Sequence, residues 1–250
     1  MSLTAEQIQS NWEKFIGYIN TYISDPRREK LVTFYTKHED EIVMMPASHK
    51  EAYHNAFPGG YIDHVNRVIE AALEFNKTWL MFGAKENYTV EELVFSALNH
   101  DLGKMGDGKE YAHKPSQDEW RKKNLGEMYT FNKKLSYMSV PERSIKLLVD
   151  AGITPTENEW LAIRLHDGLY DPANEPYLKN FMPELKPRTS LIFIIHQADL
   201  MASRIEFEKV WLPKFTNSPN EKSKSKKIDM KTKTLGSMKS EGLKDMLNSL

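Results

Sequence analysis

The sequence predicts an all-α protein: one compact helical domain over residues 1–213 and a basic tail over 214–250. Three observations carry this. Apolar residues recur at spacings of three and four almost throughout the first part. Ser or Thr stands three positions ahead of Glu or Gln at the starts of several such runs, which is the spacing of a capping box. No run alternates apolar and polar residues over the length of a strand, and no internal repeat is visible.

Taken in order, Thr4 and Gln7 open a first helix, with Ile8, Trp12, Phe15, Ile16, Ile19 and Ile23 on one face. Asp25-Pro26 opens a second, with Pro at the first helical position, where its missing N–H costs nothing. A loop follows from about Pro46 to Gly60. A long helix from about Tyr61 to Phe82 turns Val65, Val68, Ala72, Phe75 and Trp79 inward. Thr89 and Glu92 cap a helix that runs to His100-Asp101 and stops near Gly103. Residues from Met105 to Asn132 are polar, with little periodicity, and read as loop. Ser139 to Glu142 opens another helix, which ends before Gly152, and Thr156 with Glu159 opens the next, through His166 to Gly168. After a proline-punctuated loop from Pro172 to Pro187, a last strong helix spans about Ser190 to Trp211.

Composition narrows the function classes. The chain has 250 residues, 40 % hydrophobic and 28 % charged, which excludes a wholly disordered protein and suffices for a core. No window approaches 18 uninterrupted apolar residues, so no membrane span is expected, and the opening Met1-Ser2-Leu3-Thr4-Ala5-Glu6 does not read as a secretory leader. Zero cysteines exclude disulfides, thiolate zinc sites and a cysteine nucleophile. Any metal must be held by His, Asp and Glu, and the composition fits a reducing cytoplasm. Net charge is −1, yet between Lys214 and Lys244 nine Lys stand against Glu221, Asp229 and Glu241. Over residues 216 to 241 this segment is rich in Ser, Thr, Asn and Gly, with too few large apolar side chains to offset its ordering entropy. It is expected to be mobile, either as a solvated tail or in loose contact with nucleic acid or another polyanion.

Residue types that ligate metals sit at telling places. His64 lies in the first turn of the long helix, His100 and Asp101 are adjacent at the end of the next, and Asp199 lies mid-way along the last. The turn at Gly103 allows a His-Asp pair to aim at one point. Asp199 is flanked by Ile192, Phe193, Ile194, Ile195, Leu200 and Met201, so its helix is expected to be mostly buried. A buried carboxylate needs a partner, and a metal ion is a good one. Two imidazoles and two carboxylates suit a divalent Mn, Fe, Co, Ni, Zn or Mg.

Three strings sharpen this: His54-Asn55-Ala56-Phe57-Pro58-Gly59-Gly60-Tyr61-Ile62-Asp63-His64, Asn99-His100-Asp101-Leu102-Gly103-Lys104, and Ile195-His196-Gln197-Ala198-Asp199-Leu200-Met201-Ala202. In the order H…HD…D, with HD-[LI]-G-K as the most specific string, the chain resembles the HD-domain metal-dependent phosphohydrolase superfamily over about His54 to Arg204. The first and last strings look most like the HD domains of bacterial 3′–5′ exoribonucleases, from which the long insert between Lys104 and Ser139 departs. The resemblance implies metal ligation by His64, His100, Asp101 and Asp199, one tight ion, and a substrate phosphate met by Lys104. It gives His166, at the end of a helix, a contact to phosphate or to a weak second ion.

Around that set, His196 shares a face with Asp199 and reads as a group orienting a ligand or as core packing. Arg204, about 140° around the helix from Asp199, reads as near the site or on the surface. His113 reads as a loop surface residue or an extra ligand. Tyr170, Asp171 and Asn174 follow His166 in a loop that can line a pocket. His166, His113 and Glu110 stand as candidates for the general acid. The catalytic set is Asp101, Lys104 and His166. The expected activity is hydrolysis of small phosphorylated compounds, nucleotides foremost. A 3′–5′ exonuclease or cyclic-oligonucleotide phosphodiesterase is the alternative, and a non-catalytic HD-fold binding module is the second.

Overall fold

A computed structural model describes residues 3–216 of the chain. They are all-α apart from one small hairpin. The helices are α1 (Ala5–Tyr22), α2 (Arg27–Lys37), α3 (Glu39–Ile42), α4 (Gly60–Met81), α5 (Val90–Asn99), α6 (Glu119–Leu125), α7 (Val140–Asp150), α8 (Glu157–Leu165), α9 (Glu175–Leu178), α10 (Leu191–Glu206) and α11 (Leu212–Thr216). The capping boxes at Thr4, Thr89, Ser139 and Thr156 all form, each with reciprocal bonds between the cap and its third helical residue. Pro26 is the cap of α2 rather than its first residue, and the Asp25-Pro26 bond is cis.

The principal correction falls on the stretch from Met105 to Asn132. It holds α6 between two short strands, β1 (His113–Pro115) and β2 (Tyr129–Phe131), paired antiparallel with His113 opposite Phe131. Three-residue strands are too short to show alternation, which is why the sequence pattern is silent there. A π-helical turn over Phe207–Trp211 ends α10 five residues earlier than the apolar pattern suggests.

The core is built around α4, which packs most extensively on α10 and also on α5 and α1. Trp12, Phe15 and Ile19 of α1 and Val65, Val68 and Ala72 of α4 are buried, as their spacing predicts, and Leu31 and Tyr35 of α2 are buried with them. Phe15 meets the Tyr35 ring edge-on at 4.8 Å. Tyr35 then donates its O–H to Asn99 Oδ1 at 2.7 Å, and Asn99 donates to the Phe95 carbonyl. The apolar core is thereby tied to the residue just before His100. Backbone contacts divide the chain into two compact units, the first ending at Val210 and the second beginning at Trp211. Among the described residues no helix is long and apolar enough to cross a membrane. The expected mobility of the basic tail, and its contact with nucleic acid, concern residues 217–250 and lie outside the described residues.

Candidate metal centre

Four elements converge on one buried point. His64 comes from the first turn of α4, which begins at Gly60, where an added Cβ would lie 2.2 Å from the Asn55 carbonyl oxygen. His100 and Asp101 end α5. The 3₁₀ turn that follows is pinned by Ser144 of α7, whose hydroxyl accepts from Gly103 N–H at 2.7 Å and donates to the His100 carbonyl at 3.1 Å. A Cβ on Gly103 would lie 2.2 Å from the Val140 carbonyl oxygen, so only glycine allows α7 this close. His166 ends α8, and Asp199 lies mid-way along α10.

The structure therefore brings His64, His100, Asp101 and Asp199 together, with His166 beside them. His64 Nε2 lies 3.1 Å from Asp199 Oδ1 and 3.7 Å from Asp101 Oδ2. His100 Nε2 lies 3.4 Å from Asp101 Oδ2 and 3.9 Å from Asp199 Oδ1. Donors sharing one ion at about 2.1 Å stand about 3.0–3.4 Å apart, so these separations approach a coordination polyhedron. His166 Nε2 faces the other oxygen of Asp101, Oδ1, at 3.7 Å, and Asp167 Oδ1 at 3.6 Å.

The other ring nitrogens decide where the lone pairs point. Nδ1–H of His100 donates to the Ala97 carbonyl at 2.8 Å, and Nδ1–H of His166 donates to the Ile163 carbonyl at 2.8 Å. Nδ1–H of His64 donates to the buried Glu206 carboxylate at 3.1 Å, and Arg67 holds that carboxylate from its far side at 3.0 Å. Each imidazole is thus oriented with Nε2 inward, in the manner of ligating histidines. His64 Nε2 and His100 Nε2 are buried without a hydrogen-bond partner, the former despite its short distance to Asp199. Two orphaned, buried imidazole nitrogens beside two carboxylates fit a divalent cation, and these groups, with His166, could hold one.

Electrostatics agree with an anionic, cation-seeking pocket. Burial opposes charge on Asp101, yet Lys104 and His100 hold its carboxyl well below the usual range. Asp199 is likewise lowered against burial, by His64 and His100. Burial also opposes the charged form of His64, but Glu206 and Asp199 outweigh it and push that imidazole up to about 10. Asp167, Asp101 and Asp199 do the same for His166, up to about 9. Lys104 stands one turn past the His-Asp pair, mostly covered, with its ammonium paired to Asp101 Oδ2.

Several site residues escape a reading of single positions. Glu206 lies seven residues past Asp199 on α10, two helical turns on, and that spacing is a signal for the same face. Half-buried His54 packs its ring 4.7 Å from His64, and desolvation with Lys104 and His64 pulls it well below the ordinary histidine value. His196 braces the turn after His166: its Nδ1–H donates to the His166 carbonyl at 2.7 Å, and its ring lies against Gly168, where a Cβ would come within 2.4 Å of it. Beside the donors lies a cleft of about 580 Å³ lined by Tyr53, His54, Tyr170, Asp199, Ser203 and Arg204. Tyr170 thus lines it, whereas Asp171 and Asn174 brace the loop by accepting from Arg164 at 3.2 and 2.8 Å. Arg204 lines the cleft while pairing with Glu208 at 3.3 Å. Of the acid candidates, Glu110 is lowered to about 2 by Lys114, Lys134 and Asn132, and His113 is lowered to about 4 by burial, Lys104 and His49. Neither holds an acidic proton to give near neutral pH, whereas the carboxylates around His166 favour its charged form.

Fold and site together define an all-α protein with a buried His/Asp cluster that could hold a metal ion. No protein-family model, curated protein or solved structure matches the chain.

Proposed function

We propose that the protein is a metal-dependent phosphohydrolase of the HD type, acting on phosphate esters of nucleotide-type compounds. The observation that carries this reading is the pair of buried, unpartnered Nε2 atoms of His64 and His100 facing Asp101 and Asp199. These four side chains would hold one divalent cation from the set Mn, Fe, Co, Ni, Zn and Mg. When bound, such a cation supplies Lewis acidity toward water and the phosphoryl oxygen.

The chain's own groups supply the rest. Lys104 offers an ammonium to a non-bridging phosphate oxygen, the charge stabilisation on which phosphoryl transfer depends. His166 has Nδ1–H committed to the Ile163 carbonyl, so its second proton sits on Nε2, facing the site. It can pass that proton to the leaving oxygen and is oriented for it by His196. No side chain need form a covalent intermediate. A cytoplasmic setting, for which the absence of cysteine speaks, belongs to the same proposal.

The test is a screen of the purified, metal-replete protein against nucleoside mono- and triphosphates and short RNA, with metal content measured in parallel. Phosphate release from one nucleotide class, abolished by a chelator, is the expected result. Metal content without turnover of any phosphate ester would overturn the hydrolase reading and leave a binding module.

A further inference from the structure

The insert between Lys104 and Ser139 builds a pocket that the metal centre does not use. It encloses about 330 Å³ between the hairpin, the start of α7 and the turn carrying Lys104, within the range of small-ligand sites. Lys104, Lys133 and Arg143 bring three cations to its wall, and among the described residues no carboxylate lines it. Two of these cations already have work: Lys104 pairs with Asp101, and Arg143 donates to the Ser136 carbonyl at 2.7 Å. Among the described residues nothing pairs with the ammonium of Lys133. Phe131 and Tyr137 add two aromatic rings to a wall that also carries Leu135, Met138 and Val140. Tyr137 is 96 % exposed and Phe131 is 63 % exposed, so both rings are open to a partner from solvent. His113 lies against Phe131 at 5.1 Å, and its Nδ1 is buried without a partner.

A neighbouring pocket of about 310 Å³ shares Lys104 and His113 but is lined by Asp40 and Glu41, which repel an anion. The charge difference between the two selects the insert pocket for a negatively charged ligand. Lys104 connects it to the chemistry, since the side chain that lines this pocket also touches the candidate ligand Asp101.

We infer that the insert pocket is a second subsite for an organic polyphosphate, taking its second phosphate on Lys133 and Arg143 and its planar base against Tyr137 and Phe131. The subsite rests on the reading of the metal centre as a phosphate-ester site, which would hold the first phosphate. Its consequence is selectivity: a nucleoside diphosphate engages both places, whereas a simple aryl phosphate engages one.

The full-length, metal-replete protein tests this by calorimetric titration with α,β-methylene adenosine diphosphate, which resists hydrolysis. Lys133→Glu should raise its Kd at least about tenfold, and Tyr137→Ala about five- to tenfold, the range of a lost charge-assisted contact and a lost stacking face. Lys123→Glu makes the same charge change on the exposed face of α6, outside the pocket, and should stay within about twofold. In turnover, the ratio of kcat/KM for adenosine diphosphate over p-nitrophenyl phosphate should fall about tenfold in Lys133→Glu. Equal binding by wild type, Lys133→Glu and Tyr137→Ala would overturn the subsite. Equal weakening by Lys123→Glu and Lys133→Glu would also overturn it, reducing the effect to a general field. If the wild type turns over neither ester, the hydrolase reading fails on its own, and the titration still decides the subsite.

Discussion

Two charge clusters lie within the helical bundle, on opposite terms. In the first, Arg27 of α2 pairs with Glu159 of α8 and, at 3.5 Å, with Glu91 of α5, and its guanidinium stacks 3.6 Å over the Phe95 ring. Glu159 is fully buried and also caps its own helix by accepting from Thr156 N–H. The second gathers Asp101, Asp199 and Glu206 around His64, His100 and His166, with Lys104 and Arg67 at its edges. The first brings its cation from within the chain, so its charges are paired, although Arg27 Nε and Glu159 Oε1 stay buried without a hydrogen bond. The second leaves imidazole nitrogens aimed at a common point with nothing to receive them. A closed buried pair reads as structure, and an open convergent set reads as a site for something from outside.

The sharpest way to break this comparison is to open the closed cluster. Glu159→Ala would leave Arg27 with only the longer contact to Glu91 and remove a cap, so unfolding free energy should fall by about 3 kcal/mol in a denaturant titration, with metal content unchanged. A loss below about 1 kcal/mol would place that pair among contacts of little consequence.

Asp101→Ala acts on the open cluster and should do the reverse. It removes a carboxylate facing three imidazoles, so metal affinity should drop more than about a hundredfold in a competition assay, beyond the cost of losing an outer partner. The core should stay folded, as circular dichroism would show. Full metal content and full activity would mean that the site is elsewhere.

Lys104→Ala separates holding the cation from meeting the substrate. Loss of a charge-assisted phosphate contact costs about 1.5–3 kcal/mol, so kcat/KM should fall roughly ten- to a hundredfold. Metal content should hold or rise, because the ammonium is not a ligand and its pairing with Asp101 Oδ2 competes with a cation. Lys104→Arg should recover only part of the loss. Unchanged kinetics in Lys104→Ala would end the phosphate role and leave the metal assignment standing.

The smallest effect is a dependence on pH. His64 is raised from 6.5 to about 10, so in metal-free protein its proton contributes stability below about pH 6.5 and that contribution fades as pH rises toward 10. A cation must displace the same proton, so it gains affinity as pH rises. The gap in Tm with and without saturating cation should therefore be wider at about pH 9 than at about pH 6. Glu206→Gln removes the charge that most raises His64 and should narrow that difference, with a roughly tenfold loss of metal affinity. A gap that shrinks with rising pH would break the argument.

The helices that carry chemistry are legible in the sequence because their signals are local. Thr89 with Glu92 and Thr156 with Glu159 mark helix starts, and the apolar stripe of α4 marks the face that must be buried. The ligand types were legible too, since His100-Asp101 at a helix end and Asp199 in an apolar helix need a partner wherever they fold. What those residues meet is set by packing between distant parts of the chain. Glu206 behind His64, the pairing of Lys104 with Asp101 and the ring of His196 under Gly168 join positions through packing, which periodicity along one chain does not encode. The insert is the clearest instance. His113 and Phe131 pair across a hairpin of three-residue strands, and the pocket beside them exists only because α7 and Gly103 close its floor. Short strands gain their stability from what they pack against, so their sequence carries too little pattern to announce them.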